Sequence, residues 1–226
     1  MKKVLLFGLI AFFTTTEATS QGTRILVQPT CREHPIVLDQ AVPGSTDSLV
    51  LHTLRFYLGH ITCWQNGAAV WRDETYHLVD MEDESTRLLT LPTPPDLDFD
   101  QLSFSLGVDS LTQSAGVMGG DLDPSKGMFW SWQSGYINAK IEGFSRKNPA
   151  RRGIFEWHLG GYRAPFLAAQ TVFLAATPRP HLSLTMDIAT LLERCIWPTQ
   201  HHIMSPGPEA TAFSVALAQT FRLYAP

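Results

Sequence analysis

The stretch Asp121–Gly143 reads DLDPSKGMFWSWQSGYINAKIEG and joins an acidic turn to an aromatic segment. Its proline and glycine residues predict a turn that ends at Gly127. The apolar residues that follow predict a strand over 129–143. Side chains alternate between the two faces of a strand, so we expect Trp130 and Trp132 on the same face. Two tryptophans so placed either support a core or line a site.

The rest of the chain has the same character, with short apolar runs separated by Gly, Pro, Asn and Asp. The strongest hairpin signal is Asn66-Gly67, between two apolar runs. Helix-compatible composition is confined to the C-terminal part. We predict strands at 23–27, 35–42, 48–64, 69–81, 102–108, 154–159, 166–175 and 181–188, and helices at 187–194 and 210–224. This pattern predicts an all-β fold, an antiparallel β-sandwich or barrel-like domain with a few short helices, mainly C-terminal.

Composition narrows the class of protein further. The chain has 226 residues, 44% of them hydrophobic, and a formal net charge of −4. This length suits one domain with a sizeable core, and we see no linker that would divide it. The acidic balance and the absence of a basic stripe argue against a nucleic-acid partner.

The first twenty residues have the pattern of a secretory signal peptide. Lys2 and Lys3 precede the apolar run 4–13, and a polar tract ends in Ala18-Thr19-Ser20. We therefore predict a signal peptide at 1–20 and a single domain at 21–226. The mature bacterial protein is expected to be periplasmic or secreted. No later apolar run is long enough to span a membrane.

Three cysteines are present, Cys31, Cys63 and Cys195. An oxidising compartment permits one disulfide, and Cys31–Cys195 is the preferred pair because Cys63 lies within an apolar predicted strand. Three buried thiols are an equally weighted alternative.

The chain has none of the standard catalytic or nucleotide-binding motifs, so we do not expect an enzyme. Histidine is more informative, because the predicted hairpin carries His60 and His77. A tight turn at Asn66-Gly67 would place His77 opposite Phe56, two strand steps from His60. Two imidazoles could then approach one ion, although a histidine on a half-buried strand more often makes only local hydrogen bonds. The acidic turn lacks the spacing of a calcium loop, and Asp121 or Asp123 is expected to accept backbone N–H bonds instead.

The stretch from Gly119 to Gly143 resembles the signature of the MbnP-like family, exported copper-binding proteins named from methanobactin operons. Weaker agreement comes from LRFYL at 54–58, YHLVD at 76–80, FEWHLGG at 155–161 and the segment near Met186-Asp187. The resemblance covers nearly the whole predicted mature chain.

The resemblance implies a copper site that depends on a modified tryptophan. In that family the first tryptophan of the W-x-W pair is oxidised to kynurenine by a di-haem partner of the cytochrome c peroxidase/MauG type. Carried over, Trp130 is the modified residue, Trp132 is its structural neighbour, and His77 and His60 are the expected ligands of one copper ion. Imidazole and few-coordinate sites suit Cu(I). The reserve ligands are His52, His158 and the thioether of Met128.

Two other functions stay open at this stage. The chain could be an exported β-sandwich interaction module without a metal, in which the tryptophan pair is core or a ligand platform. It could also be an enzyme with a histidine-bound metal, but no motif supplies a general acid or base.

Overall fold

A computed structural model describes residues 22–43, 48–132 and 135–224, so the predicted signal peptide at 1–20 lies outside the described residues. The strands and helices in this part are numbered in chain order. The strands are β1 Thr23–Cys31, β2 His34–Pro35, β3 Val50–Gln65, β4 Ala68–Arg72, β5 Tyr76–Asp80, β6 Leu88–Leu91, β7 Gln101–Leu106, β8 Phe129–Trp130, β9 Gly135–Phe144, β10 Ile154–Gly160, β11 Tyr162–Arg163, β12 Phe166–Leu167, β13 Gln170–Ala175, β14 His181–Asp187, β15 His202–Ile203 and β16 Phe221–Tyr224. The helices are α1 Ser110–Ser114, α2 Ala189–Arg194, α3 Trp197–Gln200 and α4 Pro208–Ala218.

The strands form two main sheets that enclose one core. The larger sheet has the order β13-β7-β3-β9-β10-β15, with β4 and β5 paired to β3 and β8 paired to β9. The smaller sheet has the order β16-β14-β1-β2, with β6 paired to β1. The burial of β1 and β14 alternates along each strand, as expected for strands with one face on the core. The predicted all-β, sandwich-like class with short C-terminal helices is confirmed.

The long strand β3 is buried on both faces along most of its length. Phe56 and Leu58 face the core between the two sheets, and Tyr57 belongs to a separate cluster on the outer face of the larger sheet. Because apolar side chains cover both faces of the sheet at β3, the sequence of this strand is nearly continuously apolar rather than alternating. This cover on both faces also makes β3 the element that links the main core to the outer face.

The predicted strand over 129–143 is wrong in one respect. The structure has a hairpin there, in which β8 pairs with β9 through Phe129 opposite Tyr136 and Trp130 opposite Gly135. The chain turns at Ser131 and Trp132, so strand alternation does not govern how the two indoles are related. Serine and glycine within the stretch allow this reversal.

The hairpin at Asn66-Gly67 is confirmed, with both residues in the left-handed region at φ 50° and 79°. Its returning arm is interrupted between β4 and β5, and the register of β3 with β4 shifts after Cys63. As a result His77 lies opposite Leu58 instead of the predicted Phe56. A bulge explains this shift, because an extra residue changes every pair beyond it.

Other boundaries also differ from the predictions. The helix predicted over 210–224 ends at Ala218, and Phe221–Tyr224 instead joins the smaller sheet as an edge strand beside β14. Of the strand predicted over 35–42, Pro35 lies in the short strand His34–Pro35, and Ala41 forms an isolated antiparallel bridge with Val50. Among the helices in the described part, none is long and apolar enough to cross a membrane.

Candidate functional site

A compact group of apolar side chains covers the outer face of the larger sheet, and we call it the outer cluster. Its buried members are Tyr57, Leu78, Val108, Leu122, Met128, Trp130, Tyr136 and Ile137, with Tyr76 and Phe129 at its border. Tyr136 makes edge-to-face contacts with Tyr57 and Phe129, at centroid distances of 6.1 and 5.1 Å. The cluster therefore contains the first tryptophan of the W-x-W pair.

The acidic turn fastens this cluster to the sheet. An Asp121 carboxylate oxygen accepts the backbone N–H of Leu78 at 2.9 Å, and the Tyr57 hydroxyl donates to the backbone carbonyl of Asp121 at 3.1 Å. Asp123 accepts the backbone N–H of Ser125 at 2.8 Å. Both aspartates thus bind backbone N–H groups, as the sequence predicted.

Two buried amides support the hairpin from within, and sequence reasoning missed both. The Gln113 side chain donates to the Val108 carbonyl at 2.7 Å and accepts the Tyr136 N–H at 2.9 Å. The Asn138 side chain accepts the Val108 N–H at 3.0 Å. Gly107 leaves room for this amide, because a Cβ there would lie 2.4 Å from Asn138 Cγ. Gln113 lies outside every motif, and the stretch Gly119–Gly143 gives no sign of the role of Asn138, so only the fold identifies what the two amides do.

Trp130 is almost fully buried, with 5% of its surface exposed. The far edge of its indole lies against Gly160, where an added Cβ would be only 2.6 Å from Trp130 Cζ3. Its Nε1 is buried and has no hydrogen-bond partner among the residues that the structure describes. A buried donor without an acceptor costs about 1–3 kcal/mol, so this nitrogen is an exception that calls for an explanation.

Trp132 is the exposed member of the pair, with 63% of its surface accessible. Its ring nevertheless contacts the ring of Trp130, with a centroid distance of 5.7 Å and an interplanar angle of 43°. The turn, rather than strand alternation, brings the two indoles together. The structural role of Trp132 stays a prediction, and it would be exerted through this ring contact with Trp130 at the protein surface.

His60 lies where β3 bulges, beside the border of the outer cluster. Its φ is +51°, and the pairing of β3 with β7 is irregular between Gly59 and Thr62. Its Nε2 lies 2.8 Å from both the Tyr76 hydroxyl and an Asp109 carboxylate oxygen, and its Nδ1 lies 3.2 Å from Glu74. Bulges often redirect a side chain next to a functional site.

The hydrogen bonds around His60 have clear electrostatic effects. Partial burial alone would raise the pKa of Asp109, but hydrogen bonds from Tyr76, Thr112 and His60 outweigh it and hold that pKa well below its usual range. Burial and the hydrogen bond to Asp109 raise the pKa of Tyr76 to about 12. Asp109 is therefore a fixed anion and Tyr76 a neutral donor at neutral pH.

His77 has different partners from His60. Its Nε2 lies 2.7 Å from Asp73 and 3.2 Å from the Thr75 hydroxyl. His77 follows Tyr76 on β5, and consecutive strand residues point to opposite faces. Since Tyr76 contacts His60 and borders the outer cluster, the structure does not direct His77 toward that side.

The reserve ligands are distributed over three environments. His52 is on the surface and pairs with Asp39 at 2.7 Å, about 26 Å of strand away from His60 at roughly 3.3 Å per residue. Met128 is fully buried inside the outer cluster. His158 is 6% exposed and lies two residues before Gly160, so it shares a strand face with the glycine that Trp130 contacts.

The two ring nitrogens of His158 have different surroundings. Nε2 lies 2.6 Å from Glu142, while Nδ1 is buried and finds no hydrogen-bond partner in the described part of the chain. The hydrogen bond from His158 is the main reason that the pKa of Glu142 falls from 4.5 to about 2. When the imidazole is neutral and its Nε2–H donates to Glu142, Nδ1 carries a lone pair that could bind a ligand.

The histidine and methionine side chains described above carry atoms of the types that bind copper. Imidazole nitrogens are good copper ligands, and the outer cluster contains a thioether in Met128. An indole N–H is a donor only, so Trp130 can offer a lone pair only after its ring is opened. Among the described residues, no group of three or more His, Cys, Asp or Glu side chains is arranged to hold a metal ion.

The three cysteines are all buried in the structure. Cys31 ends β1 and Cys195 follows α2, and both belong to the main core. Their neighbours Arg32 and Glu193 form an ion pair at 3.9 Å, so the two segments lie side by side. The Cys31–Cys195 disulfide stays a prediction.

Comparison with known proteins gives two agreeing results. A protein-family model, MbnP, matches residues 20–205. Among solved structures, the chain is similar to MbnP from Methylosinus trichosporium, with a TM-score of 0.54 and 17% identity over 76% of this chain and 78% of that chain. At this identity the likeness shows the fold. A search of curated proteins gave no match.

Proposed function

Because the chain belongs to the MbnP family, which is associated with copper and methanobactin, we propose that it is an exported copper-binding protein of copper homeostasis. It acts as a binding protein rather than an enzyme. It holds one copper ion, as Cu(I), through histidine and through Trp130 after oxidation to kynurenine. The predicted signal peptide at 1–20 directs it to the periplasm or outside the cell.

The observation that carries this proposal is the state of Trp130. The residue stands at the first position of W-x-W and is nearly fully buried, and its ring nitrogen has no partner within 22–43, 48–132 and 135–224. A tryptophan retained only for packing would usually satisfy its N–H or expose it. Conversion to kynurenine would turn this nitrogen into an aniline with a lone pair, next to a ketone oxygen.

The conversion needs an oxidant, and we assign it to a di-haem peroxidase/MauG-like partner that uses peroxide. Cleavage of the indole C2–C3 bond adds two oxygen atoms and removes four electrons and four protons, which reduce two peroxide molecules to water. Hydrolysis of the resulting N-formyl group releases formate and frees the aniline nitrogen. Copper bound there would receive nitrogen or oxygen donors in a largely dry site.

His60 is the histidine that the geometry supports best as a ligand. It sits at a strand bulge, and its partner Tyr76 borders the cluster that contains Trp130. His77 remains the second ligand predicted from the family motif, although it points away from this cluster. His158 competes for that role, because its buried Nδ1 is unsatisfied on the strand face that Trp130 contacts.

The test is to produce the chain together with its di-haem partner and measure copper and Trp130 in the same purified sample. We expect about one copper per chain, and peptide mass spectrometry should find kynurenine at position 130. Trp130→Phe should lose the copper, whereas Trp64→Phe, at a partly exposed tryptophan that binds Ser103, should keep it. Unmodified Trp130 in copper-loaded protein would refute the role of kynurenine.

Three histidine variants then separate the ligands. His60→Ala should remove most of the bound copper without changing the kynurenine content. A loss in His158→Ala but not in His77→Ala would assign the second ligand to His158, and the reverse result would assign it to His77. Full copper retention in all three variants would contradict a histidine-held site.

A second function has one observation in its favour, the exposure of the large Trp132 ring beside the outer cluster. An exported interaction module would use this ring as part of a docking surface and would need no metal. Such a module should carry intact Trp130 and no copper when isolated from its native source. The copper and peptide measurements above therefore distinguish the two functions.

A further inference from the structure

The unequal exposure of the two tryptophans raises the question of how Trp130 could be oxidised. With 5% of its surface exposed, its ring offers almost no area for contact with another protein. Trp132 is 63% exposed and its ring touches that of Trp130, with a centroid distance of 5.7 Å. Among the described residues, Trp132 is thus an aromatic ring that meets both Trp130 and the solvent.

We infer that Trp132 is the electron relay through which an external one-electron oxidant, a high-valent haem protein, oxidises the buried Trp130. This inference rests on the proposed function, because it assumes that Trp130 is converted to kynurenine. It gives the second tryptophan of W-x-W a role beyond packing. It also identifies the surface around Trp132 as the place where the oxidising partner docks.

Indole chemistry and burial agree with this order of events. A cation radical is easier to form on the exposed Trp132 than on Trp130, because charge inside an apolar cluster lacks solvation. Trp132 therefore loses the first electron to the docked haem. An electron then passes from Trp130 to Trp132 across the ring contact, and the irreversible addition of oxygen to Trp130 draws the transfer forward.

The electrons and atoms balance over the whole conversion. Each transfer reduces the haem oxidant by one electron, restores Trp132 and leaves one more oxidising equivalent on Trp130. Four transfers, with the loss of four protons and the addition of two oxygen atoms from water, break the C2–C3 bond and give N-formylkynurenine. Hydrolysis to kynurenine releases formate, and Trp132 is unchanged at the end.

Rings other than Trp132 are less suited to this role. Tyr136 and Tyr57 are buried within the outer cluster. Tyr76 is partly buried, its hydroxyl donates a hydrogen bond to Asp109, and its pKa is raised to about 12. Phe129 touches Tyr136, but a phenyl ring is much harder to oxidise than an indole.

The experiment compares kynurenine formation at position 130 in chains mixed with the purified di-haem partner and peroxide. Trp132→Phe keeps an aromatic ring but removes the readily oxidised indole, so we expect formation to slow several-fold. Trp132→Tyr supplies another oxidisable ring and should recover much of the rate. Trp64→Phe should match the unchanged chain, because Trp64 contacts Phe173 on another part of the sheet.

Thermal melting of each variant provides the folding readout, and it should change little because Trp132 is exposed. Unchanged kynurenine formation in Trp132→Phe would overturn the relay. Equal slowing in Trp132→Phe and Trp132→Tyr would also overturn it, since a packing or docking role does not depend on redox chemistry. Absence of kynurenine in the unchanged chain would instead refute the proposed function.

Discussion

At the scale of single residues, the site depends on side chains that the sequence identifies and on neighbours that it does not. W-x-W marks Trp130, but its burial involves contact with Gly160, thirty residues further along the chain. His60 can be found from the hairpin, whereas Asp109 and Gln113 lie outside every motif and the signature stretch gives no sign of the role of Asn138. These three residues are recognised only by their hydrogen bonds.

Gly160 is predicted to be essential for the position of Trp130. In Gly160→Ala the new Cβ would lie 2.6 Å from Trp130 Cζ3, so the indole must move. We expect a loss of about 1–3 kcal/mol in unfolding free energy, measured by denaturant titration. Gly119→Ala is the matched control, because a Cβ there meets no atom within 4 Å. Equal stability of the two variants would mean that the indole is not confined.

The His158–Glu142 pair should give a defined pH dependence. The pKa of Glu142 is lowered from 4.5 to about 2. The ionised carboxylate therefore contributes its full share of the unfolding free energy above pH 4.5, and this share is lost as the pH falls toward 2. Glu142→Gln should cost about 1.5–3 kcal/mol at neutral pH, the value of a hydrogen bond to a charged group. The difference from the unchanged chain should vanish near pH 2. A difference that does not depend on pH would exclude the hydrogen bond to the ionised Glu142 carboxylate as the cause.

At the scale of elements, turns and bulges decide which side chains meet. The Asn66-Gly67 turn fixes the start of the hairpin, but the register shift after Cys63 changes the partner of His77. The bulge at His60 brings its ring to Tyr76 and Asp109. Hydrophobic periodicity does not report these bulges. Because β3 is apolar on both faces, its residues do not alternate, and one inserted residue causes no visible break in the pattern.

The hairpin turn can be tested at Gly67. Its φ of 79° favours glycine, and a Cβ there would meet no atom within 4 Å. Gly67→Ala should therefore lose about 1–2 kcal/mol through backbone conformation alone. Asn66→Gly, at the preceding left-handed position, should be close to neutral or slightly stabilising in the same thermal unfolding measurement. A neutral Gly67→Ala would show that this turn adopts another conformation.

At the scale of the whole molecule, the two sheets meet around Phe221. This residue of the last strand is fully buried, and its ring lies 6.0 Å from Phe56 and 5.1 Å from Phe104 between centroids. It connects the smaller sheet to two strands of the larger one. The sequence favoured a helix at this position, because composition alone does not reveal pairing with the distant β14.

Truncation of Phe221 should therefore weaken the whole fold. Phe221→Ala is expected to cost about 3–5 kcal/mol, since it leaves a cavity between the sheets. Phe173→Ala, at a phenylalanine that is 54% exposed on β13, should cost less than about 1 kcal/mol. Urea unfolding of both variants provides the comparison. Similar losses of unfolding free energy would contradict the role of Phe221 in packing the two sheets together.

The sequence by itself determined the fold class, the hairpin at Asn66-Gly67, the backbone-binding role of Asp121 and Asp123, and the family. These features depend on local turn chemistry, short-range patterning and a long motif, all of which can be read along the chain. Only the tertiary structure decided that Trp130 is buried and Trp132 exposed, that His60 and His77 have separate partners, and that β16 closes the smaller sheet. Those outcomes depend on bulges and on contacts between residues far apart in sequence, which no local pattern encodes.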